Sequence, residues 1–272
     1  MRLVRALRPS RLATYTLLTA ALIYFSLPFY LMVVNGLKPF RDFSSLDIWS
    51  VRLSGQSLGA FQAAWSFLSP AFWNSVRVVA PATAVVTLLG ALNGYVLSHW
   101  RFRHSNLVFL LIMFGMFLPE QAVLIPLVLT LRTMNLWGSG AGLGLTFVIF
   151  TLPVSTLIFR VYFGRIPVDL LEAARMDGAG FVRIFRYIVV PLGVPALAVA
   201  LIWNMTRMWN DYILALVVLA NPDDWTVMVR MNHLRGPVGF AGALIASGPA
   251  LVVFLLLGRW FQQGILAGAL RG

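Results

Sequence analysis

Apolar residues in this chain come in long runs rather than in the alternation of a half-buried strand or the narrow stripe of a surface helix. Six runs, Thr14 to Leu37, Val78 to Leu97, Leu107 to Leu131, Gly138 to Phe159, Leu192 to Ala220 and Val238 to Gly258, carry very few charges. Each is close to the roughly 20 residues a helix needs to cross a hydrocarbon core. A lipid-exposed backbone must satisfy its own hydrogen bonds, so runs of this length predict helices and not open strands. The expected fold is all-α and integral to a membrane, with one domain accounting for residues 1–272.

The connections are unequal. Lys38 to Arg77, expected outside, contains Trp49, Leu58, Phe61, Trp65 and Phe72, a pattern suited to short helices lying along the membrane surface. Arg160 to Pro191, expected on the cytoplasmic side, has the punctuation of a short capped helix over Ile166 to Gly178. Pro167 presets the first turn, Asp169 and Glu172 lie where the helix dipole favours anions, Arg175 lies near the other end, and Gly178 can take the left-handed stop. A second short helix around Phe181 to Ile188 carries Arg183 and Arg186 on one face and Val182, Phe185 and Val189 on another.

Composition agrees with membrane insertion: 60% hydrophobic residues, 11% charged and a mean hydropathy of +0.84 exclude an ordinary soluble domain. The net charge of +12 changes meaning once it is placed along the chain. With the N-terminus inside, the inner segments hold Arg2, Arg5, Arg8, Arg11, Arg101, Arg103, Arg160, Arg165, Arg175, Arg183, Arg186, Arg259 and Arg271. The outer ones hold only Lys38, Arg41, Arg52, Arg132, Arg230 and Arg235. That excess follows the positive-inside rule, so both termini are expected in the cytoplasm and no nucleic-acid partner is implied. Trp65, Trp73, Trp100, Trp137, Trp225 and Trp260 fall near expected span ends, as amphipathic indoles do. The first run is too long for a signal-peptide core and reads as an uncleaved span. There is no cysteine, which excludes disulfides and thiolate chemistry, and His99, His104 and His233 share no ligand spacing, so no metal site is expected.

Two alanines flanked by charges, Ala173 and Ala174, give the short cytoplasmic helix a low relief. That relief suits either a groove on another protein or a lipid headgroup layer, and the residues alone do not choose. Glu172-Ala173-Ala174, Gly178, Ile188 and Val190-Pro191 resemble the EAA signature of importer-type ATP-binding-cassette permeases, departing from it only at Val190, where leucine is usual. Leu152-Pro153, Phe163, Ile166-Pro167, Asp177-Gly178, Trp209-Asn210-Asp211, Asn74-Ser75 and the ending Gly264 to Gly272 are similar to the carbohydrate branch of that family, the maltose and glycerol-3-phosphate permeases. The resemblance implies a type I importer permease with six transmembrane helices in a prokaryotic plasma (inner) membrane. It makes Glu172, Ala173, Ala174, Asp177 and Gly178 a coupling helix seated on an ATPase. It also implies a second homologous permease, two ATP-binding-cassette ATPase subunits and an extracytoplasmic solute-binding protein that delivers a sugar or similar small polar solute.

No ATP or Mg site is expected on this chain, because a phosphate-binding loop needs a glycine-rich turn ending in lysine and Ser or Thr, and the only lysine, Lys38, precedes Pro39. ATP and Mg therefore belong to the partner ATPases, and no cofactor is expected here.

Ionisable groups within spans are costly and mark paths or pairs. Glu120 and Arg207 both lie roughly 20 Å from the inner ends at 1.5 Å per residue, a level at which they can pair, with Asp211 farther out. Asn204, Arg207 and Asp211 form a polar stripe with Trp203, Trp209 and Asn210 beside it, and Pro119 and Pro126 are expected to break the third span. The candidate solute path is Glu120, Asn204, Arg207, Trp209, Asn210 and Asp211. The plainer alternative is that these charges only neutralise one another. An ion-coupled secondary transporter would share such charges but leaves the capped helix unexplained, and no residues at span depth suggest an intramembrane enzyme.

Overall fold

The structure, a computed structural model, describes residues 11–39, 41, 43, 47–51, 58–100 and 102–269, with side chains to 261. Arg2, Arg5, Arg8, Arg52, Arg101 and Arg271 of the charge pattern, and the last residues of the Gly264 to Gly272 ending, lie outside the described residues. Four helices are long and apolar enough to span a membrane: α1 (Arg11–Gly36), α2 (Gly59–His99), α5 (Gly140–Phe163) and α12 (Gly236–Ala269). Two further helix pairs are long and apolar enough for a span only when each is counted across a sharp bend, which brings the total to six. α3 (Ser105–Phe114) tightens into a 3-10 turn ending at Phe117, and a second 3-10 turn (Glu120–Val123) leads into α4 (Leu124–Thr133), the halves meeting at 93°. α7 (Phe181–Ile184), a π-helical turn (Phe185–Val189) and α8 (Val190–Leu192) meet α9 (Val194–Trp209) at 80°. Short helices α6 (Val168–Met176), α10 (Ile213–Val218) and α11 (Val227–Met231) and a 3-10 turn (Pro222–Asp224) complete the described chain, which contains no strand.

Both breaks have local causes. Leu118 is extended, at ψ 117°, because the Pro119 ring crowds the residue before it. Pro126 breaks nothing, since it falls in the first turn of α4, where its missing N–H costs no hydrogen bond. At Gly193 a Cβ would stand 2.5 Å from Phe163 Cε1, so only glycine lets the bend pack against α5.

Two compact units emerge. In the first, the described residues up to Phe67 with His233–Ile245, α1 is almost wholly exposed apolar surface, buried only at Val34, Asn35 and Gly36. Asn35 Nδ2 donates to the carbonyls of Leu31 (2.8 Å) and Ile48 (2.9 Å), and the buried Lys38 ammonium donates to Asn35 Oδ1 and the Asp47 carbonyl. Ala60 and Ala64 pack with Ala241. The connection expected from Lys38 to Arg77 is shorter than its sequence suggests. From Gly59 onward it is already α2, not a separate interfacial helix, because buried residues recur with helical spacing at Ala60, Ala64, Leu68, Ala71 and Ser75. Trp65 and Trp73 accordingly sit within α2.

In the second unit, Leu68–Asn232 with the chain from Ala246 onward, α2 and α5 run side by side in the same direction. Gly90 and Gly94 of α2 let them touch: added Cβ atoms would stand 2.3 Å from Ser155 Oγ and 2.4 Å from Phe159 Cβ. This is the small-residue spacing that permits close approach of spans where lipid offers no hydrophobic drive to associate. α5 also packs on α9.

Candidate coupling and translocation sites

The loop between α5 and α9 is built as a rigid attachment. α6 starts after Pro167, at the N-cap position and not inside the first turn, with Asp169 in that turn and Glu172 one turn further along. Its far end is a complete Schellman stop: Gly178 has φ +79°, its N–H donates to Arg175 O (3.0 Å), and the Ala179 N–H donates to Ala174 O (3.0 Å). Leu171 is fully buried and Ala174 half-buried, while Glu172, Ala173, Arg175, Met176, Asp177 and Gly178 are exposed. The inward side joins a cluster of Tyr95, Phe159, Phe163, Ile166, Ile184 and Phe185. Phe181 lies 5.2 Å from Tyr95 and 5.5 Å from Trp100 between ring centroids, Phe185 lies 5.7 Å from Tyr95, and the Phe181 and Phe185 planes are parallel within 3°. His99 is 3.4 Å from the Ile166 carbonyl through Nε2 and 2.7 Å from Ser98 Oγ through Nδ1. The α6 loop is thus packed against the ends of both α2 and α5 through close aromatic contacts.

Glu120, Arg207 and Asp211 do meet. The Arg207 guanidinium donates to Glu120 Oε1 and, through Nη1, to Asp211 Oδ2 at 3.4 Å. The broken third span thus carries Glu120 in its 3-10 turn to Arg207, at the last turn of α9. Asp211 also accepts from the Ala215 N–H (3.1 Å) in the first turn of α10, which holds the gap between the two helices. Asn210, in that gap, is exposed.

The stripe is otherwise split. Asn204 is fully buried, its Nδ2 donating to Thr87 Oγ1 (3.0 Å) and Ser155 Oγ (3.2 Å), so it ties α9 to α2 and α5. Trp209 is buried too, its indole N–H donating to the Ala246 carbonyl (2.8 Å). Neither reaches the Glu120 and Arg207 pair. The elements missed from sequence were Gly90 and Gly94, whose four-residue spacing was the available signal, and the aromatic contacts of Phe181, for which periodicity gives none. Among the described residues no three His, Asp or Glu side chains are grouped to hold a metal.

Comparison with known proteins agrees with this architecture. Residues 86–269 match the family of the binding-protein-dependent transport system inner membrane component. The chain is 32% identical over 269 residues to the osmoprotective compounds uptake permease protein GgtD of Synechocystis sp., covering 94% of this chain and 90% of that one. It is 30% identical over 266 residues to the glucose import system permease protein GlcU of Saccharolobus solfataricus, covering 93% and 92%. A crystal structure of a bacterial ABC transporter involved in import of the acidic polysaccharide alginate shares the fold, with TM-score 0.74, 20% identity and 93% and 99% coverage. An all-α chain of broken and unbroken spans, with a capped loop helix fastened to two of them, is thus a member of the binding-protein-dependent transport family, a non-catalytic permease component of an ABC importer in the inner membrane.

Proposed function

We propose that α6 seats on a cytoplasmic ATPase and that its movement drives import of a sugar or related small polar solute. The observation that carries this is the division of α6 into a buried anchor, Leu171, and an exposed face bearing Glu172 and Ala173. A helix that only rested on lipid headgroups has no need of an aromatic clamp to α2 and α5. The cargo class rests on relatives named for glucose, arabinooligosaccharides and diacetylchitobiose. The partners are a second homologous permease, two ATPase subunits that carry ATP and Mg, and an extracytoplasmic binding protein. Residues 1–272 act as one permease domain with both termini in the cytoplasm, an orientation supported by the arginine excess on the inner segments. In this arrangement Glu120, Arg207 and Asp211, with Asn210 beside them, line the solute path, where the turn at Pro119 and Glu120 and the gap between α9 and α10 leave polar backbone to face a cavity.

Co-purification tests the assembly: tagged chain should bring an ATPase and a second permease. Ala173→Arg places a bulky cation on the exposed face and should leave the permease folded but separate ATP hydrolysis from uptake, as should Glu172→Ala more mildly. Uptake and hydrolysis that stay fully linked in both variants would overturn the docking assignment.

A further inference from the structure

The side of the second unit formed by α2 and α5 carries an open groove of about 670 Å3 that neither coupling nor the solute path uses. Val85 and Leu89 of α2 and Gly140, Ala141 and Gly144 of α5 line it, and Arg77 stands at one end. The helix path from Arg77 to Tyr95, where the α6 loop is clamped, is about 27 Å at 1.5 Å per residue. That nearly equals the ~30 Å hydrocarbon thickness of a bilayer, so Arg77 lies at the membrane face opposite α6. Trp73, 53% exposed one turn earlier, marks the same level as an interfacial aromatic does.

Arg77 is exposed and, among the described residues, has no hydrogen-bond or ion-pair partner. From Arg77 to Leu89 the groove extends ~18 Å, close to the depth of one leaflet's acyl layer. Its walls are apolar, and the glycines of α5 leave room for a chain where larger residues would fill the groove. The N-terminus of α5, capped by Ser139, begins beside Val78 and adds the positive end of its dipole to the charge of Arg77.

We infer that this groove holds an acyl chain of an anionic phospholipid, with the phosphate paired to Arg77. Charge and length both select that occupant. A partner helix seated here would desolvate the guanidinium unless it supplied a carboxylate at that depth, whereas a lipid brings its anion to the correct level by its own construction.

The test uses the purified importer in neutral detergent with phosphatidylglycerol or phosphatidylcholine of equal chain length, and native mass spectrometry of retained lipid. The intact protein should retain phosphatidylglycerol in preference. Arg77→Ala should lower that retention about fivefold, the effect of one cation near a headgroup layer, and Arg77→Lys should restore most of it. Gly144→Leu should reduce retention of both lipids by filling the groove. Equal retention of the two lipids that Arg77→Ala leaves unchanged would overturn the assignment. So would Ala141→Cys, the only cysteine in this chain, crosslinking efficiently to another polypeptide in membranes, since the groove would then be a subunit interface.

Discussion

Removing the Arg207 charge separates a structural triad from one that serves the cargo. The Arg207 side chain is 40% exposed, Glu120 25% and Asp211 5%. At the 3.4 Å between Arg207 Nη1 and Asp211 Oδ2, an effective dielectric near 20 gives an attraction of about 5 kcal/mol before desolvation and side-chain ordering offset most of it. Fully exposed pairs retain about 0–1 kcal/mol, whereas breaking a buried one costs about 3–5 kcal/mol. Half-exposed Arg207 falls between these, so Arg207→Met should lower resistance to unfolding by about 2 kcal/mol. Adding Glu120→Gln removes one stranded carboxylate and should recover about half of that loss, so the coupling in a double-mutant cycle is at least about 1 kcal/mol, larger by whatever Glu120→Gln costs alone. The cycle is read by unfolding of the purified importer in mixed micelles, and uptake by the same variants in proteoliposomes. If the triad lines the solute path, the double variant regains stability while uptake stays low; recovery of both together would assign it to scaffolding alone. Effects that add within about 0.3–0.5 kcal/mol would refute the reasoning, since independent charges have no shared energy to lose.

Three further outcomes follow from the packing. Leu171→Ala empties the anchor of α6 and should cost about 2–5 kcal/mol locally, seen as faster proteolysis of the loop and weaker retention of the ATPase, with α6 surface residues untouched. Gly178→Ala puts a side chain at φ +79° in open space; strain of about 1–2 kcal/mol should reduce the stimulation of ATP hydrolysis without lowering the amount of permease. Gly94→Val drives a Cβ into Phe159 and the Arg160 backbone, where helix backbone cannot yield, and should destabilise by more than about 3 kcal/mol, measured as loss of folded protein from the membrane.

Much of this molecule was legible without coordinates. Run lengths marked the apolar segments, because crossing a bilayer imposes a length that composition alone can meet, but not their ends: the expected span Leu192 to Ala220 is α9 and α10, parted where Asp211 caps α10. Pro167 and Gly178 gave the limits of α6, because caps are local chemistry, and Pro119 gave the break in the third span for the same reason. The meeting of Glu120 with Arg207 followed from depth, since a costly charge at a given level needs a partner at that level.

Facing was a different matter. Asn204 and Trp209 look like path residues on a helical stripe, yet the fold turns both inward, to Thr87, Ser155 and Ala246. In water the hydrophobic pattern distinguishes the inside of a helix from its outside. In a membrane the lipid-facing side is as apolar as the packed side, so periodicity carries no such signal. The early start of α2 at Gly59, the contact of Gly90 and Gly94 with α5, and the clamp of Phe181 on Tyr95 were settled by which helices touch. Tertiary packing made those choices, and it did so through volume and hydrogen bonding rather than through any difference in hydrophobicity that the sequence displays.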